Sequence, residues 1–483
     1  MAKLTASSLQ SILPASCAIS TPKENDTPQS FLHKRWMNLG SSTLPAAVIV
    51  PSTDEDVVAV VKFAAAEGLK VIPKCGACGG LVVTNNKTFL LDMERFRSVS
   101  IDTDAQTVTF GGGALTRDVQ PAVTETGFYT GWPNLGYVGM VGNILGGGIN
   151  LVQGKRGHAC DNLISARLVT GSGAIVTVSS TSTGPEKDLF NQLKGAGTGF
   201  GVVLSMTLRI YPTVELGLAD NSKIPSIRAW FSRENFSVAA SLWDKIIEEN
   251  IVSNIGFILT VAPPFLPIAG QPCIMADASY LGSQEDAERA FKPFIDPAVK
   301  EKATMIMSSS SEITTMNDMR DKIMRKGSNM DCFNGLMKEL SSATIIRAAE
   351  KWCDLVVTHG KDVGQTMTVF HPMHASTLMK IDQNSESFMC HRDRNFMMQA
   401  VPWNLEEDYL RIGKEYCQAV LDIARSEDAA KGVPNAVLAG NGRVETNMAE
   451  ILTQEKIELL KDRKRQWDPK GVFWNPAADG WGI

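Results

Sequence analysis

Along the first hundred residues the period of the apolar positions changes twice. AAVIV (46–50) is a continuous apolar run, short enough to be a buried strand. In PSTDEDVVAVVKFAAAEG (51–68), Val57, Val60, Val61 and Ala64 recur at helical spacing, which predicts an amphipathic helix. Ser52 with Glu55 three residues later reads as its capping box. Asp54 and Asp56 place negative charge in the first turn, and Gly68 supplies a left-handed stop. LKVIP then returns to a strand pattern. The opening unit is therefore strand–helix–strand, with a glycine-rich loop, KCGACGG (74–80), at the carboxyl end of its second strand.

Beyond that loop TFLLDME, SVSIDTD and TVTFGGG predict short strands, and DVQPAVTETG a short helix. ARLVTGSGAIVTVS (166–179) predicts a hairpin around GSG, and LSMTLRIYP a strand that proline ends. From about Thr213 glycine thins and methionine becomes frequent. ENFSVAASLWDKIIEEN and YLRIGKEYCQAVLDIARSEDAA predict long helices, and NIGFILTV, PCIMADASYLG and FMMQAVPWN predict strands. This second unit is α+β. A last helix, AEILTQEKIELLKDRKRQW, stops at Asp468-Pro469.

Composition narrows the function classes. The 483 residues suffice for two or three domains. A 44% hydrophobic, 20% charged chain is of ordinary globular type. A net charge of −5 gives no basic face for nucleic acid, and no apolar run reaches the ~20 residues of a membrane span. The first twenty residues make a poor signal peptide, and nine cysteines form no disulfide framework. The expectation is an intracellular, cytoplasmic protein.

Three glycine-rich stretches carry the candidate chemistry: KCGACGG, GYVGMVGNILGGGIN (136–150) and KGAGTGFGVV (194–203). Neither GxGxxG nor GxxxxGK[ST] occurs in them, which excludes the usual dinucleotide and P-loop fingerprints. Glycines still let successive backbone N–H groups approach an anion, as a diphosphate would require.

These loops resemble the FAD-binding domain of the berberine-bridge-enzyme-like branch of the vanillyl-alcohol-oxidase superfamily. KCGACG stands where the family reads R-x-G-G-H-S, and VGMVGNILGGGIN where it reads V-G-x-G-G-x-x-x-G-G-G-x-G. KRGHACDNL, DLFNQLKGAGTGFGVV, FMCHRDRNFMMQAVPW and KRQWDPKGVF follow further family motifs in order. The resemblance implies an α+β fold with a PCMH-type, two-subdomain FAD-binding domain and a substrate domain whose antiparallel sheet is covered by helices. The boundaries it implies are 1–212 for the FAD domain (core about 42–212), 213–430 for the substrate domain, and 431–483 for a segment returning to the FAD domain.

The resemblance further implies FAD bound by Lys74, Cys75, Gly76, Ala77, Cys78, Gly79, Gly139, Gly142, Asn143, Gly146, Gly147, Gly201 and Val202. It implies a small-molecule substrate oxidised by hydride transfer to flavin N5, with dioxygen as acceptor; the twenty methionines suit a hydrophobic substrate of secondary-metabolite type. Two departures bear on this. The family's flavin-linking histidine is Cys78 here, and the linking cysteine position falls at about Leu135 or Gly136. Cys78 then has three readings: an inert replacement beside noncovalent FAD, a thioether to the flavin, or a CxxC pair with Cys75.

Catalytic candidates are His391 and Arg392, read as alternating positions of one strand, and Tyr137, near the missing cysteine. The family's C-terminal Y-x-N survives only as Asn441, with Ala439 at its tyrosine position. No metal site is expected, since His371 and His374 lack evident partners. An isomerase or cyclase using the same pocket, or an inactive flavin binder, remain as alternatives. Oligomeric state is not legible in the sequence.

Overall fold

A computed structural model describes residues 4–480 except 32–42, 81–83, 219–222, 249–254, 261–270, 314–316, 318–320, 322–328, 364–365, 385, 405–406 and 445. Part of the methionine-rich stretch 305–324 therefore lies outside the described residues.

The first sheet contains β1 (Ala18–Ser20), β2 (Ala47–Val50), β3 (Lys70–Lys74) and β4 (Thr88–Asp92), in the order β1-β2-β4-β3. β4 runs parallel to both β2 and β3, and β1 is antiparallel to β2. The helix Asp54–Glu67 buries Val57, Val60, Val61 and Ala64 against this sheet. Its capping box is Thr53 with Asp56, one residue on from the expected Ser52 and Glu55. Asp56 also accepts from the Ser52 amide at 2.8 Å and from the Ser16 hydroxyl at 2.5 Å, contacts that select this register. Gly68 takes the left-handed conformation (φ +66°) that stops the helix.

The second sheet contains β5 (Val99–Asp102), β6 (Thr107–Gly111), β8 (Leu163–Val169), β9 (Ile175–Ser179) and β10 (Val202–Arg209). Its order is β5-β6-β10-β8-β9, antiparallel throughout. β8 and β9 form the expected hairpin, closing with Val169 opposite Ile175. Two-residue strands β7 (Phe128–Tyr129) and β11 (Tyr211–Pro212) pair beside it.

A third sheet has seven antiparallel strands in the order β15-β12-β14-β13-β18-β19-β17. They are β12 (Lys223–Ser232), β13 (Ile255–Thr260), β14 (Cys273–Ser279), β15 (Met305–Glu312), β17 (Phe333–Met337), β18 (Met367–Pro372) and β19 (Phe396–Val401). β16 (Asn329–Met330) pairs with β20 (Trp403–Asn404) alongside. Helices Phe236–Glu248, Ser342–His359 and Glu407–Ala430 cover the seven-stranded sheet, with Trp243, Trp352 and Tyr416 in the shared core. The MIMSSSSE segment is the edge strand β15, largely exposed along its serines. The architecture is α+β.

The last segment of the chain returns to the beginning. The Val71 amide donates to Val472 O at 2.8 Å, and Val472 and Phe473 enter the core of the first sheet. Lys464, buried in the helix Gln454–Trp467, pairs with Asp468 at 2.8 Å and donates to Phe473 O. Asp468 accepts in turn from the Val472 and Phe473 amides, at 2.7 and 2.8 Å. Every polar atom of that buried pair is thus used to hold the returning strand.

Candidate functional site

Parallel strands β3 and β4 end side by side, and their last residues, Lys74 and Asp92, form a buried ion pair. Lys74 is therefore committed to the strand ends before the glycine loop begins. In the loop, the Cys75 thiol donates inward to Ala114 O at 3.3 Å, and burial pushes its pKa up to about 12. Such a thiol is a poor nucleophile at neutral pH. Ala77 takes a left-handed conformation (φ +55°) that turns the chain. The half-buried Cys78 thiol then lies 3.6 Å from Gly76 O and 4.0 Å from Tyr137 O.

The second loop packs directly on the first. A Cβ on Gly76 would collide with the Gly139 amide and sit 2.7 Å from Tyr137 O; one on Gly139 would sit 2.5 Å from Cys75 Sγ. Two backbones touch here, and only glycine permits it. Tyr137 itself is buried at this junction. Gly136, near the position of the family's linking cysteine, donates to Asp321 Oδ1 at 2.8 Å. A third segment joins them. Gly440 N donates to Gly146 O at 3.0 Å, and Gly80 bridges to Arg443. Asn441 stands beside the half-buried Cys332 thiol, whose pKa desolvation pushes up to about 12.

Three separate stretches, 74–80, 136–148 and 439–443, thus meet at one place. The junction leaves room and polar atoms for a ligand. Gly142 and Gly79 face open space where a Cβ would stand, and Asn143 Nδ2 is buried with no hydrogen-bond partner. These features fit a phosphate-bearing cofactor held by backbone and an amide side chain.

The remaining expected residues are placed differently. Val202 is fully buried in the core between the first two sheets and pairs with Val169, and Gly201 approaches Val169 O. Both make packing contacts. Gly147, with φ +99°, packs against Met389.

His391 and Arg392 are not in a strand, contrary to the alternation expected of them. They form a turn ahead of β19, with His391 left-handed at φ +59°. Burial and then the nearby Arg394 push the His391 pKa down, and its ring donates to the Glu450 carbonyl. Arg392, 8% exposed, makes a bidentate pair with Asp161 at 2.6 and 2.9 Å and a further ion pair with Asp382 at 3.4 Å. It is a buried clamp with no face left for a substrate. Of the three catalytic candidates only Tyr137 stands with the glycine loops. His158 is buried beside this clamp, and burial brings its pKa down to about 4. Among the described residues no group of three or more His, Cys, Asp or Glu side chains is arranged to hold a metal ion, and no helix is long and apolar enough to cross a membrane.

Residues 45–179, which carry the first two loops, match the family model of an FAD binding domain. Over 456 residues the chain is 25% identical to the FAD-linked oxidoreductase hasG of Aspergillus fumigatus, covering 91% of this chain and 92% of that one. The chain is an FAD-linked oxidoreductase. FAD is its cofactor. The oxidoreductase has the fold of Physcomitrella patens BBE-like 1, with a TM-score of 0.78 over 98% of this chain and 99% of that one at 16% identity. A glucooligosaccharide oxidase from Acremonium strictum is also similar, with a TM-score of 0.73 at 17% identity over 96% of this chain and 98% of that one. That enzyme is described with a 6-S-cysteinyl, 8α-N1-histidyl FAD.

Sequence reasoning missed Asp321, Asp161 and Met389 as parts of this region. Asp321 lies in MNDMRDK and carries no pattern that marks it. Met389 was visible in FMCHR, but a methionine there reads as ordinary core.

Proposed function

We propose that this oxidoreductase oxidises a small organic molecule with an apolar frame, passes the electrons to dioxygen, and holds its FAD noncovalently. Bound at the junction of the three loops, FAD supplies hydride acceptance at N5. The observation that carries the reading is the meeting of loops 74–80, 136–148 and 439–443, the second of which carries an unpartnered Asn143 amide. The residues proposed to hold the cofactor are the backbone of 76–79 and of 139–147, with Asn143.

Lys74, engaged with Asp92, shapes the first loop rather than meeting a phosphate. Neither linkage position offers an evident attachment. Cys78 stands where the family has histidine, and the second position is occupied by Leu135 and Gly136, the latter tied to Asp321. Tyr137, beside the first two loops, is the residue proposed to line the flavin and orient the substrate. Beside Asn441 the Cys332 side chain packs on a buried apolar cluster of Met330, Val401 and Trp403.

The test begins with the visible spectrum of the purified protein, followed by acid precipitation. A yellow supernatant over a white pellet is expected. A yellow pellet that turns white in Cys78→Ala would replace the noncovalent reading with a thioether. The acceptor is tested by reducing the flavoprotein anaerobically and mixing it with dioxygen. Reoxidation within a turnover time is expected, and a flavin that stays reduced would rule out oxidase chemistry.

A further inference from the structure

The buried clamp of Arg392 has no part in the chemistry proposed above, yet it sits between the two halves of the molecule. Its guanidinium touches Asp161 with both terminal nitrogens, Asp382 with Nε, the Ser387 hydroxyl at 3.2 Å and Leu378 O at 3.4 Å. Burial alone would raise the Asp161 carboxyl, but the bond and charge of Arg392 more than offset that and hold it below its ordinary range. Asp161 in turn accepts from the His158 amide at 2.9 Å and so fixes the turn Ala159–Asn162. Two amides of that turn carry the glycine loop. Ala159 N donates to Gly148 O at 2.8 Å, and Cys160 N to Gly147 O at 3.0 Å.

The segment that bears Arg392 also bears Met389. A Cβ on Gly147 would fall on the Met389 sulfur, and one on Gly195 would sit 2.7 Å from the Met389 amide. Met389 is thus wedged between two glycine loops, with two residues separating wedge from clamp. One short segment from the substrate side touches the cofactor loop twice, once through Asp161 and once through Met389.

We propose that Arg392 is a positioning residue for the cofactor: by fixing Asp161 and seating Met389 it holds the loop 143–148 in the shape that binds flavin. Flavin affinity is then set in part by how well the 387–395 segment docks. This rests on the placement of the flavin diphosphate at that loop.

The test is reconstitution of apoprotein with FAD, read as a dissociation constant by flavin fluorescence and as the vibronic structure of the visible band. Arg392→Lys keeps the charge but loses the bidentate fork, and roughly tenfold weaker FAD with a blurred band is expected. Met389→Ala leaves the ion pair intact, and weaker FAD binding is expected there too. Folded Arg392→Lys and Met389→Ala proteins with unchanged FAD affinity and spectrum would overturn the proposal. If Arg392→Lys does not fold, the Met389→Ala result decides alone. Gly142→Ala separates this idea from the one beneath it, because its Cβ meets no protein atom within 4 Å. Weaker FAD in Gly142→Ala with no effect of the other two variants sinks only the clamp. Unchanged FAD in Gly142→Ala removes the loop as the cofactor site, and the clamp proposal with it.

Discussion

The molecule is joined in two different ways. Where the loops 74–80, 136–148 and 439–443 meet, backbone touches backbone, and the contact depends on side chains being absent: Gly76 on Gly139, Gly146 on Gly440. Where segments 387–395 and 464–473 dock, the contact depends on buried charge: Arg392 with Asp161, Lys464 with Asp468. The first kind of joint tolerates no added atom. The second tolerates no lost atom, because a buried charge deprived of its partner is costly.

The largest expected effect comes from breaking a charge joint. Asp468→Ala strands the buried Lys464 ammonium and two amides, and a loss of about 3–5 kcal/mol is expected in urea unfolding. Adding an atom to the backbone joint comes next. Gly76→Ala pushes a Cβ into the Gly139 amide and is expected to cost about 1–3 kcal/mol, with flavin loss at temperatures where the wild type retains it.

A third prediction uses pH. His158 is held neutral by burial, its pKa lowered from 6.5 to about 4. The unfolded chain therefore binds more protons between those values, so this residue's contribution is fully present above pH 6.5 and is lost as pH falls toward 4. At pH 5 the loss is about 2 kcal/mol. Urea midpoints at pH 5 and 7.5 should differ more for the wild type than for His158→Gln. Equal differences would mean that the ring is protonated in the folded protein without penalty.

The smallest effect sets the scale. Arg411 and Glu415 form an exposed i,i+4 pair, and Arg411→Ala should change stability by less than ~0.5 kcal/mol. If it cost as much as Asp468→Ala, burial would not be what separates the two classes of charge contact.

The backbone joint was the legible one. Glycine clusters mark places where chains approach closely, so loops 74–80 and 136–150 stand out in the sequence, as do the stop at Gly68 and the hairpin around 171–173. The helix cap slipped by one residue because Ser52-Thr53 and Asp54-Glu55-Asp56 offer two registers locally, and only the distant Ser16 contact chooses between them. The Arg392 joint was illegible for a stronger reason. Arg392 and Asp161 lie 231 positions apart, and nothing in either neighbourhood announces the other. The turn at His391 was hidden as well: a left-handed histidine has no sequence signature, so FMCHR reads as a continuation of the strand that in fact begins at Phe396.

The return of Val472 and Phe473 to the first sheet has a consequence for how the protein is made. The strand that ends at Lys74 receives its last edge contact from residues synthesised about 400 positions later, a wait of roughly 20–80 s on a ribosome. Until then the nascent chain carries a sheet with one open edge and a half-assembled cleft. That edge is completed only after the intervening sheet and its helices have been synthesised.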